Sequence, residues 1–444
     1  MARDLVRKLP VIVAAAALVL AACAPGADNK PAQQPAGQVR KDVGALGDVT
    51  LTIWDQETRP AQESQIKALN AQFQSKYPNI KINRVGRSFD DLRSTIKLGL
   101  TANDAPDIAQ VNNGKQDMGA FVKAGLLRPV DPYAEAYQWN QRFPEFVRKL
   151  ASYPDSGDSL GDGKLYGVAQ TGELVGIWYN KSKLSQLGLQ PPKTWDEFDA
   201  ALAKAKTAGQ LPLQVGNLEK SAGPLLYALA MHRFGNPADE TKLATGRVDA
   251  NWKTEPNRQA AQQVADWVDK GYLTPGFAGL KGDDATEKFG KGEGLFHVNG
   301  TWSLATLKEA LADNVGFILP PGGTVTGGTG LPWAISSKSK NPDAAAAYLD
   351  FITSPDAMRT VASSGNLPVI KAGDQVGAGP ERDVLDKWQE ASASQKLVPY
   401  LDYATPNAYE VVSNSVEQFM AKQLDVEAFL GKLQADLESS RGGR

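Results

Sequence analysis

Residues 157–161 read Gly-Asp-Ser-Leu-Gly, the Gly-x-Ser-x-Gly spacing that can lift a nucleophilic serine on a strand-to-helix turn. That chemistry needs a strand before the serine, a helix after it and a histidine to take its proton. Here Tyr153-Pro154-Asp155 precedes and Gly161-Asp162-Gly163 follows, so the tract reads as a solvated loop. The two histidines, His232 and His297, match no such hydrolase in spacing. The same acidic loop misses calcium-loop spacing, because Gly157 and Ser159 would fall on ligand positions if Asp155 were the first. One cysteine and two distant histidines make no zinc cluster, and Gly290–Gly294 lacks the full dinucleotide pattern. No catalytic residue, metal or cofactor is expected.

The remaining candidates would hold a polar solute rather than react with it. They stand where predicted strands end, the usual ligand position in open α/β sheets. Asp55, Gln56 and Glu57 follow the strand-like VTLTIW; Asn112 and Asn113 follow PDIAQV; Asn217 and Glu219 follow LPLQV. Each also has a plainer reading. Asp55 could cap the next helix, the asparagines suit turns, and loops after strands are polar in any case.

These residues need elements to position them. VTLTIW, IKINRV and PDIAQV read as strands, alternating with helices at Pro60–Tyr77 and Phe89–Leu100 and a third closed by Gly125. That alternation argues for an α/β lobe with a mostly parallel sheet. A second series follows. LYGVAQ, LVGIWYN, LPLQVG, GLFHVNG and VGFIL read as strands; helices are expected after Thr194, where Thr194 and Glu197 form a capping box, and at Pro224–Phe234, Asn257–Lys270 and Trp302–Leu311. GGTVTGGTG (Gly322–Gly330) breaks the pattern. LPWAIS, a helix with Asn341 as cap and Pro342 at its first position, and a helical C-terminus complete the chain. Trp178, Trp195, Trp267 and Trp388 fit core faces, and Trp54 fits either role.

The start of the chain is of another kind. Arg3, Arg7 and Lys8 precede an apolar run, Leu9–Leu20, then Ala21-Ala22-Cys23. Charged, apolar and small, in that order, is a secretory signal, and the run is too short to span a bilayer comfortably. Leu-Ala-Ala-Cys resembles the bacterial lipoprotein box, which implies lipid attachment at Cys23 after removal of residues 1–22. The alternative is an ordinary signal cut nearby. Residues 23–47, rich in proline, glycine and glutamine, read as a flexible lipid-anchored linker. The roughly 400 residues beyond exceed one comfortable core, so two lobes are expected. A net charge of −2 with 22% charged residues suggests no nucleic-acid partner.

GKLYGVAQTGELVGIWYNKSKL, PPKTWDEFDAAL, KFGKGEGLFHVNGTWSL and PWAISSKSKNPDAAAAYLDFITSPDAM, in that order, resemble the extracellular sugar-binding proteins of ABC importers, of the maltose-binding type. The resemblance runs from Val49 to the C-terminus. It implies an α/β, two-lobed periplasmic-binding-protein-like fold of type II, with a ligand cleft between lobes joined by crossing hinge strands. Lobe 1 would span 48–171 plus 331–380, and lobe 2 172–330 plus 381–444. The crossings fall around Gln170–Glu173, near Gly327–Trp333 and near Gly379. Glycine absorbs hinge rotation at little steric cost, although the Gly322–Gly330 tract also reads as a surface loop.

The resemblance also implies that Glu173 contacts sugar, that Trp302 stacks on a ring, and that Trp333, just past the glycine tract, lies at the cleft. Sugars present C–H faces and hydroxyl edges, which suits flat indoles plus fixed carboxylates and amides. The implied function is capture of a mono- or oligosaccharide, unchanged, for an ABC permease. The chain would be a monomer without cofactor, tethered by its lipid anchor to the outer face of the cytoplasmic membrane or periplasmic, with the ATPase on another chain. Two alternatives stay open. One is a surface glycoside hydrolase using a carboxylate pair such as Asp55 and Glu173. The other is a non-sugar solute: a polyol phosphate, for which Arg59 and Arg87 are candidates, or a polyamine held by Asp55, Glu57 and Glu173.

Overall fold

A computed structural model describes residues 38–371 and 377–442. Cys23, the leader and most of the linker lie outside the described residues. Among the described residues no helix is long and apolar enough to cross a membrane.

Thirteen strands are present among them: β1 (Val49–Asp55), β2 (Ile80–Gly86), β3 (Ile108–Gln110), β4 (Ser152–Tyr153), β5 (Lys164–Leu165), β6 (Gly167–Val168), β7 (Gly172–Asn180), β8 (Leu213–Gln214), β9 (Phe296–Gly300), β10 (Val315–Ile318), β11 (Val325–Thr329), β12 (Trp333–Ile335) and β13 (Leu397–Val398). They build two main sheets. The first has the order β2-β1-β3-β12-β6; the second runs β13-β11-β7-β9-β8, with β10 also beside β7. β4 and β5 form a separate hairpin.

In each main sheet one strand opposes all the others. In the first it is β12, antiparallel to both β3 and β6. In the second it is β7, antiparallel to β9, β10 and β11. Each is the strand that follows a passage from the other sheet. The chain leaves the first sheet at Val168 and enters the second at Gly172; it leaves the second at Thr329 and re-enters the first at Trp333. A strand arriving from the neighbouring lobe enters at the end where its companions finish, so it must run against them. That end is therefore the one facing the other lobe, and the carboxyl ends of β1, β3, β8, β9 and β13 all point there.

The helices follow from local chemistry. Pro60–Lys76 carries Pro60 in its first turn and buries Ile66, Leu69 and Phe73. Thr194 and Glu197 form the expected capping box on Trp195–Thr207. Asn341 precedes its helix but makes no side-chain capping bond, so Pro342 alone marks that start. Several helices lie outside the sequence expectations, among them Pro237–Thr245, opened by the Asn236 side chain and closed by left-handed Gly246. Trp302–Leu311 divides into a 3-10 turn at Thr301–Ser303 and an α-helix at Leu304–Leu311.

The glycine-rich tract needs correction. It does not break the pattern: Val325–Thr329 is a fully buried strand, pairing Thr329 with Gly172 and Gly328 with Glu173. Its glycines allow close approach. At Gly330 a Cβ would sit 2.3 Å from Thr171 Oγ1. The strands of both passages are thus packed against each other. The stretch before the C-terminal helices joins them there, with Gly172 N–H donating to Leu367 O and Val369 N–H to Gln170 O.

Two apolar clusters support the sheets. The first gathers Leu51, Ile53, Phe73, Ile108 and Tyr348 and continues to Trp178, Phe317 and Trp388 behind β7. The second gathers Ile177, Phe198, Leu213, Trp267, Phe296 and Phe429. Trp178, Trp267 and Trp388 are core, as expected; Trp195 is half-buried, edge-on to Phe198.

Candidate functional site

Glu57 stands two residues past β1, almost buried, and its Oε1 accepts from Gln110 Nε2 at 2.7 Å. Burial pushes its carboxyl up to about 7, against the Gln110 hydrogen bond and with help from the charge of Asp55. Gln110 ends β3, and its Oε1 accepts from Gln56 N at 2.8 Å, so one side chain ties two strand ends together. Glu173 is the second residue of β7. Its Oε2 accepts from the Tyr400 hydroxyl at 3.0 Å. Burial raises it too to about 7, and Glu57 adds to that rise. Glu57 from the first sheet and Glu173 from the second therefore share one electrostatic environment.

Asp55 does not face that space. It is fully buried, Arg84 holds both its oxygens at 2.6 and 2.7 Å, and Glu57 N–H donates to it at 3.0 Å. Its carboxylate is spent on Arg84 and on orienting Glu57. Asn113 is also a wall residue. Its Nδ2 donates to Leu150 O at 2.7 Å and its Oδ1 accepts from the Tyr403 hydroxyl. Trp333 is completely buried beside Tyr348, with ring centroids 6.3 Å apart, so it belongs to the first core. Strand β12 is buried on both faces and leaves its indole no outlet.

Asn112 is better placed. Its Nδ2 reaches Asp117 at 3.2 Å and Asp402 at 3.0 Å, bridging carboxylates of the two lobes. Burial raises Asp117 to about 6 and moves Asp402 upward as well.

In the second lobe Trp302 is half-buried at the end of β9. Its indole folds back over Gly300, where a Cβ would lie 2.1 Å from the ring. Only glycine admits that approach, which gives Asn299-Gly300-Thr301-Trp302 its logic. Asn217 is buried, with Oδ1 accepting from Gly223 N at the start of helix Ala222–Phe234. Glu219 accepts from Gly282 N at 3.1 Å. Both therefore shape the second lobe's loops. Arg59 pairs with Asp283 across the lobes, while Arg87 covers Trp54, whose ring packs on Gly99.

The Gly-Asp-Ser-Leu-Gly tract is the β4–β5 connection, and Ser159 donates to Asp162. Both histidines are engaged elsewhere, His232 with Glu240 and Thr326, His297 with Gln214 O and Thr286.

Sequence reasoning missed Gln110, Asp117, Tyr400, Asp402 and Tyr403. The last three follow β13 in the run Tyr400-Leu401-Asp402-Tyr403, whose density of aromatic and acidic residues was the available signal.

Strand ends of two sheets that face each other across crossing strands define a two-lobed binding protein. Residues 68–391 match the bacterial extracellular solute-binding proteins, and the chain belongs to that family of solute binders. An uncharacterised ABC transporter extracellular-binding protein of Pyrococcus horikoshii is 25% identical over 388 residues, covering 85% of this chain and 84% of that protein. The multiple sugar-binding protein of Streptococcus mutans is 23% identical over 371 residues, covering 82% of this chain and 81% of its own. The solved structure of a chitin oligosaccharide binding protein superposes with a TM-score of 0.78 at 22% identity, over 89% of this chain and all of that one; that likeness is one of fold.

Proposed function

We propose that this chain captures a sugar or oligosaccharide outside the cell and passes it, unchanged, to the permease of an ABC importer. The observation that supports this reading is that the Glu57–Gln110 pair and the Glu173–Tyr400 pair, from facing sheet ends, share one electrostatic environment, while Trp302 stands half-buried just past β9. Carboxyl, amide and phenol groups suit hydroxyl edges, and a half-buried indole suits a ring face. The names of the relatives support the same solute class. Binding would draw the lobes together because both contribute contacts, the crossing strands serving as hinges. The binder acts as a monomer, held at the membrane through a lipid on Cys23; loss of labelled palmitate incorporation in Cys23→Ala checks the anchor. A thermal-shift screen over mono- and oligosaccharides tests the function, since a bound solute raises apparent stability. No shift with any sugar would refute it. Recovery of intact sugar after long incubation separates binding from hydrolysis.

A second reading has one observation in its favour. The charge of Glu57 raises Glu173, as that of Asp402 raises Asp117, giving two carboxyl pairs where the lobes meet, while Arg59 and Arg93 are already paired with Asp283 and Glu410. An amino sugar or a polyamine would complement that excess, and spermidine and glucosamine belong in the screen.

A further inference from the structure

A cavity of about 480 Å³ opens between helix Pro60–Lys76 and β2, the edge strand of the first sheet. Small-molecule sites typically enclose roughly 300–1,000 Å³. Glu63, Lys67, Asn70 and Gln74 line it from one face of the helix, Ile82 and Arg84 from alternate positions of the strand. Arg84 stands between this cavity and Glu57. Its Nε and Nη2 turn inward to Asp55, and Nη2 also reaches Glu57 O at 2.6 Å. Its Nη1 has Glu63 Oε1 at 3.9 Å, beyond hydrogen-bond reach. Glu63 is itself taken by Lys67 at 2.7 Å. Asn70 is only 7% exposed; its Oδ1 accepts from the Tyr348 hydroxyl at 2.7 Å, and among the described residues nothing accepts from its Nδ2. Gln74 Oε1 accepts from Ile82 N at 2.9 Å, and among the described residues nothing accepts from its Nε2 either.

We propose that this cavity is a second binding site, taking a small molecule that carries an oxyanion, a carboxylate or a phosphate group, held by Arg84 Nη1, Asn70 Nδ2 and Gln74 Nε2. Both amides turn their oxygens to donors of the protein, so each presents its NH2 to the cavity. A ligand hydroxyl both donates and accepts and would need one of those oxygens. An oxyanion only accepts, which matches a wall whose unspent atoms all donate. Hydrogen bonds to a charged acceptor are also the stronger kind. The charges agree: among the described residues Lys67 and Arg84 line the cavity against one acid, Glu63. No aromatic ring among the described residues lines it, so a sugar face has nothing to stack on. The volume beyond the donors takes the body of the molecule that bears the anion.

Nuclear magnetic resonance of the isotope-labelled protein, without sugar, tests this with inorganic phosphate and with succinate. Sodium chloride holds the ionic strength constant, so that diffuse surface attraction does not change during the titration. The side-chain NH2 signals of Asn70 and Gln74 should move saturably while the indole signal of Trp302 stays in place. The anion that saturates at lower concentration tells carboxylate from phosphate. Gln74→Glu keeps the oxygen that accepts from Ile82 but turns a donor into a like charge. Followed at Asn70, it should weaken binding roughly tenfold or more. Glu63→Gln removes the acid from the wall and should strengthen binding roughly threefold. Lys67→Ala removes an exposed cation and should weaken it by about the same factor, with Lys67→Arg restoring it. Lys67→Ala decides if Gln74→Glu fails to fold. The proposal is overturned if neither anion gives saturable shifts, or if Gln74→Glu, Glu63→Gln and wild type bind alike. Shifts confined to Trp302 would put the anion in the cleft and overturn it too. No sugar is present, so failure here leaves the sugar-capture reading untouched.

Discussion

Glu57 and Glu173 come from different sheets, and each carboxyl rests on one uncharged donor, Gln110 Nε2 at 2.7 Å and the Tyr400 hydroxyl at 3.0 Å. Burial lifts both from 4.5 to about 7. The folded chain therefore keeps protons there that the unfolded chain releases between about pH 4.5 and 7. A carboxyl whose folded value is raised contributes its full stability below the unfolded value, and that contribution is lost as pH rises through the folded value. Urea unfolding should thus show stability falling from about pH 5 to about pH 8, with Glu57 supplying up to about 3 kcal/mol of the change. The double variant Glu57→Gln, Glu173→Gln should flatten the slope. An unchanged slope would mean that neither carboxyl is held protonated.

Arg84 has the opposite duty. Among the described residues its guanidinium is the only side-chain cation bonded to Asp55, which has no exposed surface. Removing one partner of a buried pair leaves the other charge uncompensated, at about 3–5 kcal/mol. Arg84→Ala should lower unfolding free energy by that amount. Arg84→Ala combined with Asp55→Asn should recover part of the loss, since the stranded charge is gone. Equal destabilisation of the single and double variants would show that the charge is not what matters.

The fold was legible wherever local chemistry decides it. Pro60, the Thr194–Glu197 capping box and the alternation of strand and helix are local, and each stands where expected. The rule that polar residues at strand ends face the cleft singled out Glu57 and Asn112, and the family resemblance singled out Glu173 and Trp302. The rule failed for Asp55, although the pleat held the reason: Val49, Leu51 and Ile53 point inward, and Asp55 continues their face. Trp333 was misplaced because β12 is covered on both sides, which only the strand order reveals. Tyr400 and Asp402 follow a two-residue strand, β13, too short for any periodic signal. Their partners Glu173 and Asn112 lie more than 200 residues away, at separations of 227 and 290.

Gly330 sits where the two crossing segments touch. A methyl group there would lie 2.3 Å from Thr171 Oγ1 and 3.2 Å from Glu173 Oε1. Overpacking of this kind costs about 1–3 kcal/mol. Gly330→Ala should lower stability by that much and weaken solute binding, because Glu173 is displaced. Thr171→Ala removes the clashing oxygen and should restore part of both in the double variant. Purely additive losses would show that Thr171 Oγ1 is not what the new methyl group meets.

Trp302 separates a stacking role from a packing role. Its ring covers Gly300 on one face and remains partly exposed. A core tryptophan cut to alanine costs about 3–5 kcal/mol of stability. A stacking one mainly costs affinity. Trp302→Ala should therefore weaken binding of the best sugar by roughly tenfold to a hundredfold in calorimetry, or about 1.4–2.8 kcal/mol. Its urea midpoint should fall much less than that of a Trp178→Ala control, whose indole is fully buried under β7. Trp302→Phe keeps a flat face and should retain most of the affinity. Unchanged affinity in Trp302→Ala would remove the indole from the site and leave the carboxyl and amide groups to hold the solute alone.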